Sequence, residues 1–222
     1  MQHVQVFITA LDIAASMLKA GSYKYALVIG SEKMSEIVNW KDRSVCVLFG
    51  DGAGAVVLKA VDNNTEDVTG ALVGHERGII DSNIYNDGTG ASVLTGGRRF
   101  SDSCSTDIFI HMDGQEVFKF AVKSVPTAIE TLLHNNNMDI NEVDKFILHQ
   151  ANVRIIESVA KRLKADKDKF PVNLNEYGNT SSASIPILLD ELNRNGSLKQ
   201  GEKLVLAGFG AGLSWGSILL VW

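Results

Sequence analysis

Apolar positions along this chain follow two periods, and the switches between them mark out its elements. Over residues 7–20 they fall at Ala10, Leu11, Ala14, Ala15 and Leu18, the spacing of an amphipathic helix, with Gly21 as its stop. Residues 24–31 form a continuous apolar run, which predicts a strand buried on both faces. Two more strands are predicted at 45–49 and 55–58, joined by a tight Gly50-Asp51-Gly52-Ala53-Gly54 turn. Residues 61–69 are polar and read as a connection between layers, and residues 70–73 read as another strand. From Gly78 to Ser103 the chain is rich in glycine, serine and asparagine without a clear period, so it reads as a long loop, of the kind that is usually functional or mobile. Residues 107–114 lead into a helix over 115–134, striped by Val117, Phe118, Ala121, Val122, Val125, Ile129 and Leu132, with Pro126 as a candidate kink. A short helix at 139–143 precedes an apolar run ending at Leu148, and a helical pattern follows through Ile155, Ile156, Val159, Ala160 and Leu163. Residues 170–174 read as a short edge-like segment, and residues 185–192 as a helix with Pro186 tolerated in its first turns. Strands at 203–208 and 217–222 close the chain. Strands alternate with helices throughout, so the class is α/β.

Composition narrows the field. At 222 residues the chain can make one large domain or two small ones, and 45% hydrophobic with 21% charged residues is ordinary for a globular protein. A net charge of −5 argues against a nucleic-acid partner, which calls for a basic stripe. Two cysteines, Cys46 and Cys104, are too few for a disulfide framework and fit reduced thiols. Asp12, Lys19 and Gly21 interrupt the longest early apolar run, so no membrane span is expected. The first residues lack the basic start and apolar centre of a signal peptide, and a cytoplasmic location is expected.

Three polar knots interrupt the apolar runs: His149-Gln150-Ala151-Asn152, Tyr177 to Ser184, and the glycine-rich stretch Gly208 to Gly216. The first lies where a strand would hand over to a helix, the edge at which open α/β sheets bind ligands. Taken singly, each has an ordinary structural reading: a capped histidine, an asparagine at a helix start or turn, and a hairpin turn. The Gly50–Gly54 stretch is not a dinucleotide fingerprint, because a strand rather than a helix follows it. His75, His111 and His134 have no companion motif, and the histidines lack metal-ligand spacing.

Taken together and in order, Ile147-Leu148-His149-Gln150-Ala151-Asn152-Val153-Arg154-Ile155, Gly178-Asn179-Thr180-Ser181 and Gly208 to Gly216 resemble the C-terminal half of a 3-oxoacyl-acyl-carrier-protein synthase III, a thiolase-fold condensing enzyme. The helix before Gly21, the run 24–31, Asp42-Arg43 and Phe49 to Ala55 match the same family, so the resemblance runs from about Phe7 to Trp222. It implies an incomplete thiolase-like fold, layered α-β-α-β-α with mixed sheets, in which residues 1–66 are the remnant of an N-terminal half and residues 67–222 the C-terminal half. It implies that His149 and Asn179 are the second and third members of a Cys–His–Asn set, and that the Ala211 N–H serves an oxyanion hole. By the same resemblance Arg43, Gly114, Asn152 and Phe209 contact coenzyme A or its pantetheine arm, and Gln150, Ala151 and Arg154 dock acyl carrier protein. Lys161, Arg162 and Lys164 extend that basic face, which reads equally well as a solvated helix face. The implied reaction is decarboxylative condensation of an acyl-CoA primer, acetyl-CoA-like, with malonyl-acyl carrier protein in type II fatty acid synthesis, without metal or cofactor. The implied partners are those two substrates and a homodimer mate or a missing N-terminal half, with no nucleic acid and no membrane. The alternatives are a catalytically inactive fragment or subunit that binds a partner chain or acyl carrier protein, and a condensing enzyme with another primer.

The resemblance breaks at the nucleophile. Its position falls on Val4, and neither Cys46, expected inside a strand, nor Cys104, expected in a loop, is a substitute. One permitted choice of codons for Met1 to Phe7, read in the neighbouring frame, encodes Ala-Ala-Cys-Thr-Gly before a phenylalanine, so a frameshift is the expected origin of the mismatch. The chain alone is then expected to decarboxylate at most and not to condense. Open strand edges and an uncovered apolar face are expected to leave it poorly stable without the absent half.

Overall fold

The computed structural model describes residues 5–61, 77–96 and 109–222. The expectations placed on Val4, on a strand at 70–73, on His75 and on Cys104 lie outside those residues. In chain order the elements are α1 (Gln5–Lys19), β1 (Tyr25–Glu32), β2 (Gly52–Lys59), β3 (Gly78–Asn86), β4 (Leu94–Thr95), β5 (His111–Met112), α2 (Gly114–Asn135), β6 (Lys145–Leu148), α3 (Val153–Leu163), α4 (Leu174–Tyr177), α5 (Ser184–Arg194), β7 (Lys203–Gly210) and β8 (Ser214–Val221).

The centre is a four-stranded sheet in the order β3-β8-β7-β6. β6 runs parallel to β7, and the other pairs are antiparallel, so the sheet is mixed. Successive side chains of a strand point to opposite faces, and β7 buries both. On one face Val205 and Ala207, with Phe146, Leu148 and Leu219, pack against Val125, Ile129 and Leu132 of α2 and Ile156 and Val159 of α3. On the other, Leu204 and Leu206, with Ile147, Ile218 and Leu220, pack against Ile8 and Leu11 of α1 and Ile185, Leu188 and Leu189 of α5. Phe146 also stacks on Phe170 with ring centroids 4.6 Å apart, which adds about 0.5–1.5 kcal/mol to the burial of the two rings.

β1 and β2 pair antiparallel beyond α1 and α5 and pack on them through Val28, Val56 and Leu58. The stack therefore runs α, β, α, β. The outward face of the β1–β2 ribbon is open among the described residues: Tyr25, Leu27, Ile29 and Val57 are 57–68% exposed. This corrects the expectation that 24–31 is buried on both faces, because only Val28 and Gly30 of β1 turn fully inward.

Three further expectations change. Residues 45–49 do not form a strand. The Asp42 carboxylate accepts from the Ser44 N–H at 2.9 Å and the Ser44 hydroxyl at 2.6 Å, and its carbonyl accepts from the Val45 and Cys46 N–H groups, so the segment winds into turns. Cys46 is thus half-buried in a turn, and Gly50 to Gly54 runs into β2 instead of joining two strands. The stretch read as a loop after Gly78 begins with β3. Its period is hidden by Asp81, Ser82 and Asn83, and each finds a partner. Ser82 bonds the Asp12 carboxylate, Asp81 accepts from Asn136 at 2.8 Å, and Asn83 donates to the Ala128 carbonyl at 2.8 Å while accepting from the Ser217 hydroxyl at 2.7 Å. The edge-like segment expected at 170–174 forms no strand either, since residues 170–173 are irregular and Leu174 opens α4. Pro126 lies inside α2 and removes the donor to the Val122 carbonyl, and Arg162 of α3 donates to that carbonyl at 3.4 Å. Arg162 is thereby drawn onto α2 in place of standing free on a docking face.

Candidate active site

β6 stops at Leu148, but its pairing with β7 carries on by one bond, from the His149 N–H to the Ala207 carbonyl at 2.9 Å. That bond fixes the backbone from which the imidazole projects. His149 is 3% exposed, with its ring edge-on to Phe209 at 5.5 Å and its Nδ1 2.7 Å from the Ser184 hydroxyl. Burial strips water from the imidazolium and lowers its pKa from 6.5 to about 3, against an opposing pull from the Glu32 carboxylate. Ser184 opens α5, and the positive end of a helix likewise disfavours a cation. The ring is neutral at physiological pH.

Asn179 arrives on an irregular segment clamped at both its backbone groups. Its N–H donates to the Leu48 carbonyl at 2.9 Å, and its carbonyl accepts from the Gly50 N–H at 3.0 Å. Its side-chain oxygen accepts from the Ser181 N–H at 3.0 Å, which Ser181 can offer because it adopts a left-handed conformation with φ of +53°. Glu32, at the end of β1, stabilises that conformation. Its carboxylate accepts from the Ser182 hydroxyl at 2.5 Å, the Ser182 N–H at 3.4 Å and the Ser181 hydroxyl at 3.3 Å. With its oxygen engaged, the Asn179 amide is left with its NH₂ as the free donor.

His149 and Asn179 both line a cavity of about 190 Å³, together with Phe209 and Ala211. Gly114, Ala151 and Asn152 line it as well, and Met34, Phe49, Leu94, Ile110, Met112, Val117 and Phe118 supply apolar walls. Few polar groups converging in a mostly apolar hollow is the usual form of a ligand site. Ala211 lines the cavity from the buried turn between β7 and β8, where its carbonyl accepts from the Ser214 hydroxyl at 3.0 Å. The Asn152 side chain also caps α3, accepting from the Arg154 N–H at 2.8 Å.

Other expected site residues fall elsewhere. Arg43 is exposed on the 42–48 turns and does not line the cavity. Arg154 is exposed on α3, and its guanidinium makes no ion pair among the described residues. Gln150 is a correction: it is 1% exposed, and its amide is spent on the Leu148 carbonyl at 2.8 Å and on the Asn173 N–H at 3.2 Å. A side chain so buried offers no docking surface. Reading the sequence missed Glu32, whose only signal was a carboxylate closing an apolar run, and gave Ser184 no role beyond ending the second polar knot. Cys46 does not line the cavity. No group of three His, Cys, Asp or Glu among the described residues could hold a metal ion, and no helix among them is long and apolar enough to cross a membrane.

Comparison with known proteins gives the chain's family and fold. Residues 2–88 match the family described as 3-oxoacyl-[acyl-carrier-protein (ACP)] synthase III, and residues 133–222 match its C-terminal part. The beta-ketoacyl-[acyl-carrier-protein] synthase III of Clostridium acetobutylicum is 45% identical over 222 residues, covering 97% of this chain and 64% of that protein. Among solved structures, the synthase III of Aquifex aeolicus superposes with a TM-score of 0.86 at 42% identity, over 98% of this chain and 64% of its own. That of Thermus thermophilus gives 0.87 at 36%, over 98% and 65%. The chain spans just under two thirds of the length of these relatives. It has their thiolase fold, α/β with a mixed sheet, and it belongs to the 3-oxoacyl-[acyl-carrier-protein] synthase III family.

Proposed function

We propose that this chain carries the enolate-stabilising part of a beta-ketoacyl-acyl-carrier-protein synthase III, which joins an acyl-CoA primer to malonyl-acyl carrier protein with loss of CO₂. One observation carries the reading: a neutral, buried imidazole and an amide whose oxygen is already engaged open into one mostly apolar cavity. When the malonyl carboxylate leaves as CO₂, the electron pair of the broken C–C bond moves toward the thioester carbonyl and charge builds on its oxygen. Two fixed donors, the imidazole N–H of His149 and the NH₂ of Asn179, are suited to that charge, and losing one such donor costs about 10²–10³ in rate. An imidazole that stays neutral favours hydrogen-bond donation over proton transfer.

In the condensing step the resulting carbanion attacks an acyl group held as a thioester on a cysteine, and the Ala211 N–H receives the developing oxyanion. Val4 stands where the family pattern calls for that cysteine, so a thiol from another segment is required for condensation. Gly114, Asn152 and Phe209 are assigned to the pantetheine arm and Arg43 to coenzyme A. Ala151 and Arg154, which makes no ion pair among the described residues, are assigned to acyl carrier protein, with Lys161 on the exposed face of the same helix and Lys164 at its C-terminal cap. The reading includes a homodimer acting in the cytoplasm, with no cofactor beyond the substrates. Residues 1–66 and 67–222 are assigned to the two thiolase-like halves, although α1 shares a core with β7 and β8.

The test is release of CO₂ from malonyl-acyl carrier protein labelled in its free carboxyl, by the purified chain and by its His149→Ala and Asn179→Ala variants. Release should fall about 10²–10³-fold in each variant. A 3-oxoacyl product from acyl-CoA should appear only when a second polypeptide supplies the cysteine-bearing segment. Release by the unaltered chain no faster than by the variants, with that polypeptide present, would overturn the assignment.

A further inference from the structure

We propose that Ser184 is a positioning residue: its hydroxyl donates to Nδ1 of His149 and so holds the imidazole as the Nε2–H tautomer. The inference deepens the function proposed above and rests on it for the meaning of the tautomer, but not for the tautomer itself.

The two groups are 35 residues apart in sequence, brought together because β6 ends where α5 begins, and their contact of 2.7 Å is buried. A hydroxyl and an imidazole nitrogen can share such a contact either way round, so the other neighbours decide. The Gln150 N–H points at the Ser184 oxygen from 3.3 Å and fills one of its acceptor sites. If Nδ1–H filled the second, the serine hydrogen would need an acceptor of its own. Among the described residues the Ser184 hydroxyl touches only the Gln150 N–H and Nδ1. Ser184 is 2% exposed, and a buried hydroxyl hydrogen with no acceptor costs more than a made hydrogen bond contributes. The start of α5 adds to this, since a helix N-terminus presents donors and a partial positive charge, a poor place to aim a further N–H. Nδ1 is therefore the acceptor, and in a neutral ring the proton then sits on Nε2. Burial keeps the ring neutral and so makes the choice of tautomer matter.

Gln150 belongs to the same device. The residue placed at the carrier-protein surface by the resemblance holds its own backbone in place instead, through the Leu148 carbonyl and the Asn173 N–H, and with it the N–H that fills the serine oxygen.

The experiment is nitrogen NMR on the full chain labelled in its histidine rings, with His149→Asn assigning the resonances. The unaltered chain should show Nε2 protonated and Nδ1 as a hydrogen-bonded acceptor across roughly pH 5–8. In Ser184→Ala the Nδ1 resonance should move to that of an unbonded nitrogen and a second tautomer should appear. The kcat of malonyl decarboxylation should fall roughly two-fold with KM unchanged, since a ring divided about evenly between its tautomers presents a donor for about half of the time. Ser184→Thr should restore the resonance and the rate. A protonated Nδ1 in the unaltered chain, or an Nδ1 resonance that is the same with and without the hydroxyl, overturns the proposal, and the first of these needs no variant to fold. A fixed Nε2–H tautomer in a chain that releases no CO₂ would instead support Ser184 and refute the function.

Discussion

Replacing Gly50 by alanine tests the clamp that holds Asn179. Gly50 does not have a positive φ, so an alanine could adopt its backbone conformation. If nothing else intervened, the stiffer unfolded chain would make the variant more stable by about 0.4–1 kcal/mol. The packing points the other way. A Cβ built on Gly50 falls 2.1 Å from the carbonyl oxygen of Tyr177 and 3.2 Å from its carbon, where an ordinary contact begins near 3.4 Å. Both atoms are backbone, so no rotamer relieves the clash, and the segments must part by roughly 1 Å. That overpacking costs about 1–3 kcal/mol. The parting also stretches the bonds from the Asn179 N–H to Leu48 at 2.9 Å and from the Gly50 N–H to Asn179 at 3.0 Å, each worth about 0.5–1.5 kcal/mol. The expected net loss is about 1–6 kcal/mol, read as a lower urea midpoint from the fluorescence of Trp40, Trp215 and Trp222. Gly88→Ala is the control, because nothing lies within 4 Å of its Cβ position, and it should fall within about 0.5 kcal/mol of the unaltered chain. A Gly50→Ala chain as stable as that control would refute the reasoning and with it the close contact of the two segments.

Two further outcomes can be checked on the same material. Asp113 caps α2 by accepting from the Gln115 and Glu116 N–H groups at 3.1 and 3.0 Å, so Asp113→Ala should lower stability by about 1 kcal/mol, seen as a lower Tm. The pKa of His149 is about 3 in the folded chain against 6.5 when unfolded, so the unfolded chain takes up the proton first as the pH falls. The stabilising contribution of the neutral ring is complete above pH 6.5 and is lost progressively toward pH 3. His149→Asn should flatten the urea midpoint across that window.

How far the sequence could be read depended on whether a segment's partners lay on its own face or elsewhere. α1, α3 and α5 were legible because their apolar stripes alone settle which side is buried. β7 and β8 were legible over residues 204–207 and 218–221, where both faces are buried and every residue is apolar, whereas Phe209, Gly210 and Ser214 to Gly216 belong to the strands although they read as part of a glycine-rich turn. β1 has the same composition but a different environment, so the same rule failed: Tyr25, Leu27 and Ile29 are apolar and face outward. β3 failed for the opposite reason, since the partners that make Asp81, Ser82 and Asn83 acceptable in a strand come from α1, α2 and β8, far away in sequence.

The same distinction runs through the site. His149 and Asn179 could be marked from the order of their motifs, but nothing local says which atom of either faces the cavity. That is decided by groups on other elements. Glu32, from the end of β1, holds Ser181 and Ser182 so that the Asn179 oxygen is taken by a backbone N–H and its nitrogen is left over. Ser184, from the start of α5, meets the His149 ring only once β6 and α5 are packed on one another. Gln150 shows the cost of arguing from neighbours in sequence: it stands next to His149 and before a cavity-lining pair, yet its side chain goes into the interior to bond Leu148 and Asn173. Motif residues name the chemistry. The direction in which they present it is a property of the packed elements, and it is the property that the NMR tautomer and the Gly50 substitution both measure.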